Sequence, residues 1–204
     1  MVFPALAAVF RFKIMIPKYR PLLILLLLGL INESLSAIYI FSVKSNTINS
    51  NIYVLVEYLL ILWQFNRLGT SYSKTFFTVL VTLGAATWFV DNLLLSSLQN
   101  NNSLFRMCSS LVLVYVSIEK ANQLLFFNGI VLIRNPDLLI SLGFFAYFSF
   151  KTFIEVFNVF PMRINPDFYA NLWVILSVIN IFTNLLFTLA IICIRRKEEF
   201  ILHS

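Results

Sequence analysis

A chain of 204 residues that is 60% hydrophobic and only 12% charged, with a mean hydropathy of +0.88, carries more apolar surface than a soluble domain of that length can bury. These values exclude a soluble enzyme and point to one membrane domain spanning residues 1–204, with the lipid bilayer as its first partner. The formal charge of +6 comes from Lys and Arg near the ends of apolar runs, which suits an anionic leaflet and argues against nucleic acid as a partner.

The first ten residues are apolar but cover only about half a bilayer at 1.5 Å per residue, so a membrane-embedded half-helix is expected there. Arg11 and Lys13 follow this run rather than precede it, so no cleavable signal is expected. After a basic stretch broken by Pro17 and Pro21, a first full span covers 22–42, with Asn32 and Glu33 near its middle. The second, 52–68, places Tyr53, Glu57 and Gln64 on one face. The third, 75–97, carries Thr87 and Asp91 one turn apart, with Asn92 beside them. The fourth, 104–127, holds Tyr115, Glu119 and Gln123 at helical spacing, plus Lys120 and Asn122, and Asn128-Gly129 closes it with turn chemistry.

Spans five (137–158) and six (168–194) begin alike, with Asn135-Pro136-Asp137 and Asn165-Pro166-Asp167. Each offers an Asn cap, a Pro at the first helical position and an acid against the positive helix end. The expected fold is therefore an all-α, polytopic transmembrane bundle of six full spans, or seven if the N-terminal half-span is counted.

Counting connections alternately, one side carries Arg11, Lys13, Lys18, Arg20, Arg67, Lys74, Arg134, Arg195, Arg196 and Lys197, and the other only Lys44, Arg106 and Arg163. The richer side is expected to be cytoplasmic, together with the C-terminus. The segment FPALAAVFRFK, the mid-span Glu33, the IYVLVEYLL run around Glu57, the Asn135-Pro136 start and Ala146-Tyr147-Phe148-Ser149 resemble a family of small bacterial integral membrane proteins with six or seven spans. The resemblance implies a bacterial inner membrane and the same bundle. That family is uncharacterised, so it implies no activity and no functional residue.

The fifth span organises the chemistry. Tyr147, Lys151, Glu155 and Asn158 form a polar stripe, while phenylalanines cover most of its remaining surface. An ionisable group at bilayer depth costs at least about 2.5 kcal/mol, so it is expected to face protein or a wet cavity. Similar depth assigns Glu33, Glu57, Asp91, Lys151 and Glu155 to one ligand or ion cavity in the middle and outer part of the bundle. Four carboxylates against one ammonium leave −3, which repulsion and desolvation oppose unless a cation, water or protons compensate. A second polar cluster is expected from Glu119, Lys120, Asn122, Asn180 and Asn184, for which helix-to-helix hydrogen bonding is the simpler reading.

No catalytic residue can be assigned. The chain has no GxSxG elbow, P-loop, HExxH or paired CxxC. Cys108, Cys193 and the single His203 give no zinc-ligand set, and neither metal nor cofactor is expected. Three classes of function fit the polar cluster: a non-enzymatic sensor, regulatory or assembly module working with a membrane partner or a second copy; a cation- or proton-coupled carrier or channel; and a lipid-modifying enzyme using paired acids.

Overall fold

Long runs of leucine, isoleucine, valine and phenylalanine, broken by short polar segments, satisfy their backbone groups internally as helices. The computed structural model describes residues 2–12, 17–43, 46–69, 72–95, 97–98, 100, 102–127, 134–160 and 166–194. Across them the chain forms seven helices and no strand: α1 (Val2–Arg11), α2 (Arg20–Val43, entered through a 3-10 turn at Pro17–Tyr19), α3 (Thr47–Arg67), α4 (Lys74–Phe89), α5 (Ser103–Phe127), α6 (Pro136–Val159) and α7 (Pro166–Cys193). α4 ends in a wider π turn, Val90–Leu95. The expected turn at Asn128-Gly129, the cap Asn165, and the charges of Lys13, Lys44, Arg163 and residues 195–197 lie outside the described residues.

Five helical stretches are long and apolar enough to cross a membrane: Pro17–Tyr39, Thr47–Arg67, Lys74–Leu95, Pro136–Val159 and Asp167–Cys193. α5 is not among them, because Arg106, Glu119, Lys120, Asn122 and Gln123 dilute its apolar run. It nevertheless packs along α6 more extensively than any other pair of helices packs, and it also touches α3 and α4. α6 continues to α7, α7 to α1, α1 to α2 and α2 to α3, while α4 leans on α3 and α5 from outside. Large apolar side chains such as Val79, Leu83, Val174, Val178, Ile181 and Phe182 remain exposed along α4 and α7, as a lipid-facing surface requires.

α1 is helical and amphipathic. Its small residues Pro4, Ala5 and Ala8 are buried, and Phe3 and Phe10 point outward at 75% and 81% exposure. Arg11 pins it by donating from Nη1 to the carbonyls of Ile191 (3.2 Å), Ile192 (2.8 Å) and Ile194 (3.0 Å) at the C-terminal end of α7.

The apolar core lies between the first half of α2, the last half of α3, the first half of α6 and the last half of α7, where Leu22, Leu26, Ile61, Phe65, Ile140 and Ile191 are fully buried. That end is also held by polar ties. Gln64 Oε1 accepts the amide of Leu22 at 2.9 Å, capping α2 from another helix, and its Nε2 donates to the Lys18 carbonyl at 3.3 Å. Asn135 caps α6 as its sequence predicts, accepting the Asp137 amide at 3.0 Å. Asp137 does more than favour the helix end. It takes an ion pair from Lys18 at 2.5 Å and a hydrogen bond from the Tyr19 hydroxyl at 2.7 Å.

α4 reaches α3 through Gly84. A Cβ there would lie 2.2 Å from Tyr58 Cε1, and the Tyr58 hydroxyl is fixed by donating to the Leu80 carbonyl at 2.8 Å. Beside the α3–α4 connection, the Tyr72 and Tyr115 hydroxyls meet at 2.6 Å. That bond is the main reason the Tyr72 pKa is pushed up to about 12, so Tyr72 stays neutral at physiological pH.

Candidate functional site

At the end opposite the apolar core, α2, α3, α5, α6 and α7 enclose a polar cavity of about 200 Å³. Each helix contributes by its own period. α3 turns Ser50, Tyr53, Val54 and Glu57 to it at i, i+3, i+4 and i+7, and α6 turns Tyr147, Lys151, Ile154 and Glu155 to it at i, i+4, i+7 and i+8. Asn32 from α2, Arg106 from α5, and Trp173 and Leu176 from α7 close the remaining sides.

The floor is an ion pair. Lys151 Nζ donates to Glu57 Oε2 at 3.0 Å, bridging α6 and α3, with the two residues 9% and 7% exposed. The same ammonium lies 5.5 Å from the centre of the Tyr147 ring and 5.2 Å from that of Phe148, within range of cation–π attraction. On one wall Arg106 Nη2 is anchored to Ser50 Oγ at 2.9 Å and Asn51 Oδ1 at 2.8 Å, and its buried Nε has no partner. Asn51 is fixed in turn, since its Nδ2 donates to the carbonyls of Leu98 (3.1 Å) and Asn100 (2.9 Å). On another wall Glu155, 3% exposed, accepts from Asn158 Nδ2 at 2.9 Å, and Asn158 Oδ1 accepts from the Tyr169 hydroxyl of α7.

The structure thus brings three of the five grouped residues, Glu57, Lys151 and Glu155, to one cavity and leaves two outside it. Glu33 is exposed on α2, because a turn of about 100° per residue sends it outward when its neighbour Asn32 faces in. Asp91 sits in the π turn, where its Oδ2 accepts the amide of Phe105 at 2.8 Å and caps the N-terminus of α5. The lining thus holds two of the four expected acids, and the charge of −3 does not arise along it. The four ionisable groups at the cavity are two acids, Glu57 and Glu155, against two bases, Lys151 and Arg106.

Arg106 is the residue that sequence reasoning missed as a site member, having entered only as a topological charge. Its signal was its position, one turn inside a helix on the side that otherwise carries only Lys44 and Arg163.

The second expected cluster is two separate places. Lys120 Nζ donates to the Gly69 carbonyl at 2.9 Å and to Gln123 Oε1 at 3.1 Å, tying α5 to the end of α3, with Glu119 half-buried beside it and Asn122 exposed. Asn180 and Asn184 lie on α7, where Asn184 Nδ2 donates to Asn180 Oδ1 at 3.2 Å. They line a space of only about 20 Å³ behind Glu57, closed by Leu25, Leu26, Phe144, Phe148 and Phe187. Among the described residues no group of His, Cys, Asp and Glu is arranged to hold a metal ion.

No family model, curated protein or solved structure matches the chain.

Proposed function

We propose that the protein is a small non-enzymatic sensor or regulatory module of the membrane, whose polar cavity binds a small solute. One observation carries this reading. The 200 Å³ cavity ends on the Glu57–Lys151 pair, and beyond that pair only about 20 Å³ remains before packed leucine and phenylalanine side chains. A channel needs a path open to both sides, whereas a receptor site needs one mouth and a rigid floor. An acid–base enzyme needs two carboxyl groups with freedom to exchange protons, and here one of the two, Glu57, is committed to Lys151.

In this reading the chain has six spans, with α5 as the polar-faced sixth, 25 residues or about 37 Å long. Both flanks lie in the cytoplasm of a bacterium and the cavity opens away from it, in agreement with the charge asymmetry and the family resemblance. α6 is the natural element to report occupancy, because it carries Lys151 and Glu155 at one end and the Asp137–Lys18 tie at the other. A partner span or a second copy would read that movement at the basic end.

The test is accessibility. In vesicles oriented with the cavity outward and lacking native cysteines, an impermeant thiol reagent should label Asn32→Cys and Ser50→Cys but leave Leu26→Cys and Phe187→Cys unmodified. Labelling of the last two from the cavity side would mean a continuous path, and the channel reading would replace this one.

A further inference from the structure

We infer that the solute this cavity takes is a zwitterion of amino-acid size, its anionic group on Arg106 and its cationic group on Glu155. The inference rests on the single-ended binding reading above and adds the chemistry of the ligand.

The argument is a charge inventory. Of the four ionisable groups at the cavity, Glu57 and Lys151 satisfy each other at 3.0 Å. The ion pairs among the described residues, Lys151–Glu57 and Lys18–Asp137, include neither Arg106 nor Glu155. Arg106 is held only by neutral oxygens, Ser50 Oγ and Asn51 Oδ1, and its Nε is buried without a partner. With Nη2 anchored and Nε buried, Nη1, which no hydrogen bond engages among the described residues, is the donor left for a carboxylate or a similar anion. Glu155 is 3% exposed and its hydrogen-bond partner is an amide, so it retains acceptor capacity that a cation would fill.

Leaving one cation and one anion separately uncompensated is costly at such a site, and a ligand bearing both opposite charges relieves both at once. The walls suit it further. Tyr53, Tyr147 and Trp173 provide aromatic surface along the cavity, favourable to an ammonium, and the volume is on the order of the liquid share of six or seven waters. A singly charged ligand would compensate one group and leave the other as it was.

The experiment uses the full-length protein in nanodiscs. Thermal unfolding is followed with the common L-α-amino acids, and with analogues of each that lack either the amino or the carboxylate group. At least one amino acid should raise the Tm, and each of its analogues should bind about tenfold to a hundredfold more weakly. Arg106→Gln should abolish the preference for the amino acid over the carboxylate-free amine. Glu155→Gln should abolish its preference over the amine-free acid. Arg106→Lys, which keeps the charge, should retain part of the binding, and the wild-type analogue series decides the matter even if a variant does not fold. An amine or an acid that binds as tightly as its parent overturns the zwitterion and leaves the binding cavity standing. If none of the three classes shifts the Tm, both the zwitterion and the small-solute reading fall.

Discussion

Glu57 and Lys151 hold α3 to α6 from positions where neither is more than a tenth exposed, so removing one member strands the other. Lys151→Met should destabilise the protein by about 3–5 kcal/mol, the cost of breaking a buried pair from one side. Glu57→Gln should cost less, because an amide oxygen still accepts from the ammonium. Adding Glu57→Gln to Lys151→Met should recover much of the loss, since the double variant has no charge left to strand. Denaturant titration of the three variants measures this coupling, and strict additivity would show that the pair is not what joins the helices. That these two residues line one cavity was legible because each recurs on a stripe at helical period, Tyr53–Glu57 on α3 and Tyr147–Lys151–Glu155 on α6. Depth without facing was a weaker guide. It grouped Glu33 and Asp91 with them, although one turns outward and the other caps a helix.

Three helix ends are closed by side chains that come from other helices: the start of α2 by Gln64, the start of α5 by Asp91 and the end of α7 by Arg11. Within lipid an unpaired backbone group finds no water, so these contacts fix where the helices stand relative to one another. Asp91→Ala should therefore destabilise the protein by about 1–2 kcal/mol, as loss of a helix cap does, and Asp91→Asn by less because it keeps an acceptor. Neither should alter the rate at which Ser50→Cys is labelled at the cavity. A large change in that rate would return Asp91 to the site. The helices themselves were readable from apolar runs and from Asn135-Pro136, whose cap is local. The cross-caps were not, since Gln64 and Leu22 are distant in sequence and no local pattern pairs them. The π turn at Val90–Leu95 was hidden for a related reason, as it puts Asp91 on α5 by a register that an ideal helix would not give.

Over the whole molecule, charge and polarity are separated by end. Arg11, Lys18, Arg20, Arg67, Lys74 and Arg134 lie at the end with the apolar core, whereas Arg106 lies on a wall of the cavity near the other end. A positive leaflet-facing end is drawn to the anionic cytoplasmic surface by about 1 kcal/mol per Lys or Arg, so several such residues outweigh one. Arg106 adds little to the opposing vote in any case, being engaged with Ser50 and Asn51 rather than with headgroups. The orientation that follows places the connections at Asn46 and Asn100 outside and those at Ser73 and Arg134 inside. The same orientation would expose the polar cavity to the extracytoplasmic medium, as the proposed sensor role requires. In a background with Cys108→Ser and Cys193→Ser, an impermeant maleimide applied to intact cells should label Asn46→Cys and Asn100→Cys. Ser73→Cys and Arg134→Cys should react only after the cells are permeabilised. Labelling of the second pair in intact cells would invert the molecule and turn the cavity toward the cytoplasm. Labelling of Asn46→Cys together with Arg134→Cys would mean that α5 does not cross, because the two positions are separated by an odd number of crossings, α3, α4 and α5, only if it does.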